Sequence, residues 1–289
     1  MGTIVVGVDE SAGAAEALRW AAAEGRRRGW AVRAVMCWGY LDQHHAVPDQ
    51  KFDPDYGETG ARQALDAIVA AALHRDDAAT IEAVVVNDLA PRGLLKRSAD
   101  TDLLVLGARG LGSFREFALG SVSRQCLHHA TVPVAIVRPH QPPADATHPR
   151  VVVGVDGSET AQRALDWALE AGRTRQASVA VIHAWVPPYV GGVYVPVLTD
   201  DYSPFEKIAH DIVDAAVDAA DTTGLPAPVE RIVACGNPAS LLVDAATGAD
   251  LVVVGSRGLG GFKGLLLGSV SHDVTHHAPC PVVVIPHTE

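Results

Sequence analysis

The sequence predicts an α/β protein built as two tandem doubly wound domains, each on a five-stranded parallel sheet. Three observations carry that prediction. The chain has 289 residues, a length that suits about two domains. The chain repeats itself. Val5-Val6-Gly7-Val8-Asp9-Glu10-Ser11 returns as Val152-Val153-Gly154-Val155-Asp156-Gly157-Ser158, at an offset of 147. Leu119-Gly120-Ser121-Val122-Ser123 returns as Leu267-Gly268-Ser269-Val270-Ser271, at an offset of 148. The unit is about 145 residues, too long for a solenoid repeat. Within each unit, short apolar runs alternate with helical patterns, as expected of strands covered on both faces by helices.

The elements of the first unit follow in order. Residues 4–8 form an apolar strand. Ser11 is placed to cap an Ala-rich helix that runs to about residue 28. Residues 31–37 form a second strand, and 39–57 a long loop with Pro48 and Pro54. A helix is expected over 59–74, a strand over 81–86 and a short helix over 90–98. A strand over 103–107, a helix over 121–129 and a strand over 134–137 complete the unit. The second unit repeats the order, with its long loop at 186–204. The expected strand order is the flavodoxin-like 2-1-3-4-5 or its relative 3-2-1-4-5. The two closing strands are short and apolar, and an exposed edge of that kind invites pairing. Association, between domains or between chains, is expected to cover them. The halves divide as domain 1–139, linker 140–149 and domain 150–289. Four prolines in residues 139–149 oppose a helix there and favour an extended spacer.

Composition excludes several classes. The chain is 48% hydrophobic and 20% charged, which is inconsistent with general disorder. Its net charge is −11, a poor field for binding nucleic acid. The acidity is uneven: residues 1–147 carry 15 positive and 18 negative charges, whereas 148–289 carry 8 and 16. No apolar run reaches membrane-spanning length, and the N-terminus reads as a first strand, not a signal peptide. Four cysteines without a CxxC pair suit a reducing, cytoplasmic setting.

Ligands on doubly wound sheets bind beyond the carboxyl ends of the strands. That rule singles out Asp9 and Asp156 after the first strand of each unit. It also singles out the loop after the fourth strand, which has the form G-x2-G-x9-G-S in both units. Glycines permit positive φ and close approach of backbone to a ligand. Successive N–H groups form a nest for anions, and the Gly-Ser pair opens a helix whose dipole favours negative charge. Ser121 and Ser123, or Ser269 and Ser271, are expected to add hydroxyl donors. The loop lacks Walker spacing and does not follow the first strand as a dinucleotide motif would.

With these residues in hand, each half resembles a universal stress protein domain of the ATP-binding subclass, and the whole resembles the tandem forms of actinobacteria. The resemblance implies an adenine nucleotide alpha hydrolase-like fold and one ATP per domain; Mg2+ is expected with it, because a triphosphate carries that ion in the cell. It implies that Gly7, Val8, Asp9 and Cys37 border the base and ribose in the first domain. Gly107, Arg109, Gly110, Gly112, Gly120, Ser121 and Val122 would surround ribose and phosphates. The matching set in the second is Gly154, Val155, Asp156, Ala184, Gly255, Arg257, Gly258, Gly260, Gly268, Ser269 and Val270. It further implies a cytoplasmic homodimer that regulates stress or growth responses through a protein partner.

Other readings are weaker. A fast ATP hydrolase or phosphotransferase would need a lysine at a Walker position or paired carboxylates near the loop, and neither is evident, so the alternative function is a slow ATP hydrolase or phosphotransferase. A flavin carrier would want aromatics around an isoalloxazine, and the loops carry only Phe114, Phe117 and Phe262. The adjacent pairs His128-His129 and His276-His277 point about 100° apart on a helix and rarely share one ion. They suit the C-terminal helix dipole, so no metal ligand is assigned. Trp20 and Trp167 read as core residues, and the long loops as lids or binding loops.

Overall fold

A computed structural model describes residues 2–39, 57–78, 80–110, 119–139, 149–186, 203–259 and 267–287. The chain divides by compactness into two units, Met1–Gln141 with Pro281–Thr288, and Pro142–Cys280.

In the first unit, β1 (Thr3–Gly7), β2 (Ala31–Trp38), β3 (Ile81–Asn87), β4 (Leu103–Gly107) and β5 (Val134–Val137) are joined by α1 (Ala12–Arg28), α2 (Glu58–Ala72), α3 (Arg75–Ala78), α4 (Ala90–Ser98) and α5 (Ser121–His129). The strand order is β3-β2-β1-β4-β5, the second of the two anticipated orders. Strand β1 pairs in parallel with β2, from Thr3↔Ala31 to Gly7↔Val35. On its other side it pairs with β4, from Ile4↔Leu103 to Val6↔Val105. The chain reverses its winding between β1 and β4, which opens a crevice beyond their ends. Ile4, Val5, Val6, Leu103, Leu104 and Val105 have no exposed surface, which explains why their runs are continuous rather than alternating.

The second unit holds β6 (Arg150–Gly154), β7 (Ser178–Trp185), β8 (Glu230–Cys235) and β9 (Leu251–Gly255), with α6 (Glu159–Arg175), α7 (Ser203–Asp218), α8 (Pro238–Ala245) and α9 (Ser269–His277). Here the order is β9-β6-β7-β8, in parallel register from Arg150↔Ser178 to Gly154↔Ile182 and from Val151↔Leu251 to Val153↔Val253.

The last strand, β10 (Val282–Ile285), falls in the first unit. It pairs with β5 in antiparallel register, Val282↔Ile136 to Val284↔Val134. The β5 edge is thereby closed, and the sheet is not wholly parallel as expected. An antiparallel partner satisfies the open N–H and C=O groups as well as a parallel one would.

The two first helices start as their sequences require. Ser11 Oγ accepts the Ala14 N–H at 3.1 Å, and Ser158 Oγ accepts the Ala161 N–H at 3.2 Å. Their ends differ. Gly29 closes α1 with φ 65°, whereas Gln176 closes α6 with φ 51°. Gln176 is the one non-glycine residue with positive φ among the described residues. Most of the two long loops lies outside the described residues.

Candidate functional site

The four strands at the crevices end in glycine: β1 at Gly7, β4 at Gly107, β6 at Gly154 and β9 at Gly255. In the second repeat the structure gathers Gly154, Val155, Asp156, Ala184, Gly255, Arg257, Gly258, Gly268, Ser269 and Val270 around one cavity of about 260 Å³. Only Gly260 of the expected set is missing, because it lies outside the described residues. The lining divides by chemistry. Ile182 and His183 of β7, with Pro238 and Leu242 of α8, supply apolar and aromatic walls. The β9 loop and the start of α9 supply glycine, serine and Arg257.

Asp156 ties the two sides of the crevice together. Its Oδ1 accepts the Ser158 N–H at 3.0 Å. Its Oδ2 accepts the Leu259 N–H at 2.8 Å, across 103 residues of chain. In the first repeat Asp9 Oδ1 accepts the Ser11 N–H at 3.0 Å and the Ser11 hydroxyl at 2.5 Å. The Ser11 hydroxyl also lies 3.4 Å from the Arg109 carbonyl. Each acid therefore shapes its turn, and Asp156 anchors the glycine loop as well.

The glycines are needed for closeness, not for handedness. Among the described residues, Gly107, Gly110, Gly120, Gly255, Gly258 and Gly268 all lack the positive φ that the sequence reading invoked. A Cβ on Gly107 would meet the Gly13 backbone at 2.7 Å, so this glycine lets α1 pack on β4. A Cβ on Gly110 would lie 2.5 Å from Asp9 Oδ2. Gly120 differs, since its Cβ would meet nothing nearer than 3.6 Å. The protein itself does not demand glycine there.

Two hydroxyls depart from expectation. Ser123 Oγ donates to the Gly107 carbonyl at 2.7 Å. Ser271 Oγ lies 2.9 Å from the Ser256 carbonyl and 3.0 Å from that of Gly268. These hydroxyls brace the loop from beneath, because their position one turn into the helix points them at the strand end. Ser121 and Val122, and Ser269 and Val270, instead occupy the first helical positions after Gly120 and Gly268. There the helix N–H groups are open to an anion. The loops close on themselves through Gly120 N–H to Ala108 O at 2.9 Å and Gly268 N–H to Ser256 O at 2.7 Å.

Val8 is buried in the first repeat, and its N–H donates to Val35 O at 2.9 Å. Cys37 stands near the end of β2, with its thiol 3.8 Å from the Ala90 carbonyl. Gly112 lies outside the described residues. Arg257 Nε is buried and has no hydrogen-bond partner among the described residues. Sequence reasoning did not flag His183, Pro238, Leu242 or Ser256. His183 Nδ1 lies 2.8 Å from the Val155 carbonyl, which can only accept, so Nδ1 carries the proton. No motif marks these residues, since their segments reach the crevice only through the fold.

The fold and crevice define an α/β protein with a glycine- and serine-lined, anion-compatible pocket at the switch point of its second repeat. The universal stress protein family model matches residues 1–138 and again 148–286. A universal stress protein of Mycolicibacterium smegmatis is 30% identical, covering 98% of this chain and 96% of the relative. One from Mycobacterium tuberculosis is 32% identical over 97% of this chain and 94% of the relative. The crystal structure of a universal stress protein from Archaeoglobus fulgidus aligns with TM-score 0.67 and 21% identity, covering 99% of this chain and 98% of that one, a likeness of fold. The chain belongs to the universal stress protein family, in its tandem-domain form. No helix among the described residues is long and apolar enough to cross a membrane.

Proposed function

We propose that the protein binds ATP, one molecule per repeat, and acts in the cytoplasm as a regulatory nucleotide binder, assembled as a homodimer, in stress or growth control. The observation that carries this reading is one cavity around ten residues drawn from separate stretches of the second repeat, with the cation of Arg257 among them. The residues fit a nucleotide. The Ile182, Pro238 and Leu242 surfaces suit a base, and the Gly268-Ser269-Val270 helix start suits phosphate oxygens. Arg257 adds a cation for the phosphates. Among the described residues no group of three or more His, Cys, Asp or Glu is placed to hold a metal ion. Mg2+ would therefore arrive with the triphosphate, held by phosphate oxygens and water.

The same lining favours a binder over a fast hydrolase. Asp156 is the one carboxylate among the described lining residues. Both of its oxygens already accept backbone N–H groups, which leaves it poorly placed as a general base.

Calorimetry on nucleotide-free protein tests the reading, with mass spectrometry of whatever the purified protein releases on denaturation. Two ATP per chain are expected. Arg257→Ala should weaken one of the two sites by about tenfold or more, the loss of a charge-assisted hydrogen bond. No heat of binding with millimolar ATP, in protein free of ligand, would overturn the proposal.

A further inference from the structure

We propose that His272 and His276, one turn apart on α9, form a two-ligand site for a divalent transition-metal ion such as Zn2+. The adjacent histidines dominate the sequence, but they are not the chelating pair. Their ring centroids are 6.4 Å apart for His128 and His129, and 6.3 Å apart for His276 and His277. The centroids of His272 and His276 are 4.1 Å apart, because positions i and i+4 of a helix share one face. Imidazole suits ions of this class, and two histidines so spaced are a recurrent zinc-binding pattern.

A second observation orients the pair. His276 Nδ1 lies 2.7 Å from the His272 carbonyl. A carbonyl only accepts, so Nδ1 carries the proton and the Nε2 lone pair becomes the ligand. Such an outer hydrogen bond to a carbonyl is the usual support of a metal-binding histidine. His272 is exposed and His276 half-buried, so an ion can reach them from solvent. Water would fill the remaining coordination positions.

The duplication supplies an internal control. The first repeat has Arg124 and His128 at the matching positions, with no histidine pair four apart on α5. Neither His272 nor His276 lines the cavity of the second repeat, so the site is separate from the proposed nucleotide pocket. It shares a helix with it, since Ser269 and Val270 begin α9.

The test uses the full-length, untagged chain without nucleotide. Zn2+ is titrated by calorimetry, while long-range ¹H–¹⁵N spectra follow the imidazole nitrogens. One site is expected, with the Nε2 signals of His272 and His276 shifting together. His272→Arg, which installs the first repeat's residue, and His276→Gln should each weaken it at least about tenfold, with unchanged circular dichroism. His128→Gln should leave it intact. An excess of Mg2+ should not compete, because that ion prefers oxygen ligands. Absence of Zn2+ uptake by the wild type, or native affinity in folded His272→Arg, would overturn the proposal. So would loss of the site in His277→Gln alone, which would assign binding to Asp273 and His277 instead.

Discussion

A Cβ on Gly258 would stand 2.0 Å from Asp156 Oδ2, the same oxygen that accepts the Leu259 N–H at 2.8 Å. The glycine and the acid are therefore one device. The acid holds the loop down, and only a residue without a side chain lets it reach the backbone beyond. Gly110 and Asp9 repeat the closeness at 2.5 Å. Gly258→Ala is expected to push the carboxylate off Leu259, and Gly258→Glu to add a like charge beside it. Either change should cut ATP stoichiometry from two to one per chain, measured by calorimetry, while circular dichroism stays native. Gly120→Ala is the contrasting variant. Its Cβ has room within the protein, so affinity lost there would report contact with the ligand itself.

The ends of α1 and α6 give a stability prediction. Gly29 and Gln176 occupy equivalent left-handed positions. A non-glycine residue in that region carries a penalty of about 1 kcal/mol. The Gln176 side chain recovers part of it by donating to the Arg173 carbonyl at 2.9 Å. Gln176→Gly should stabilise the protein by about 0.5 kcal/mol, raising the urea midpoint. A lower midpoint would mean that the side-chain bond outweighs the backbone strain.

Glu24 is completely buried in α1, paired with Arg28 one turn later and 3.7 Å from Arg27. Arg28 also lies over the Trp30 ring, 4.9 Å from its centre. Arg28→Ala leaves the carboxylate buried without its main partner and should cost about 3 kcal/mol. Removing both charges, as Glu24→Ala with Arg28→Met, should recover much of that loss. Chemical denaturation of the three variants decides it.

Burial pushes the thiols of Cys126 and Cys280 up to about 12, from an ordinary value near 9. Neighbouring Cys37 and Asp250 add to the respective shifts. Both thiols should stay protonated at pH 8 and resist alkylation until the chain unfolds, whereas exposed Cys235 reacts at once. A folded value above the unfolded one contributes stability that is intact below pH 9. It is lost as pH rises toward 12. Unfolding free energies should therefore fall across that window. Cys126→Val, which copies Val274 of the second repeat, should flatten the fall.

The amino-acid sequence by itself determined the duplication, the order of helices and strands, and the acid and glycine-serine loop that border the crevice of the second repeat, the rest of the expected set coming from the family resemblance. Those features are local. Apolar runs, caps such as Ser11 and Ser158, and a glycine spacing repeated twice are all written within short windows. Tertiary structure decided what depends on distant segments meeting. It chose 3-2-1-4-5 over 2-1-3-4-5 in the first unit and laid β10 antiparallel on β5, because strand pairing joins residues far apart in the chain. It brought His183, Pro238 and Leu242 to the crevice, though no motif marks them. It turned Ser123 and Ser271 inward onto carbonyls. It also showed that Gly258 is small to make way for Asp156, a requirement that arises only when a residue at the end of one strand touches a loop about a hundred residues later.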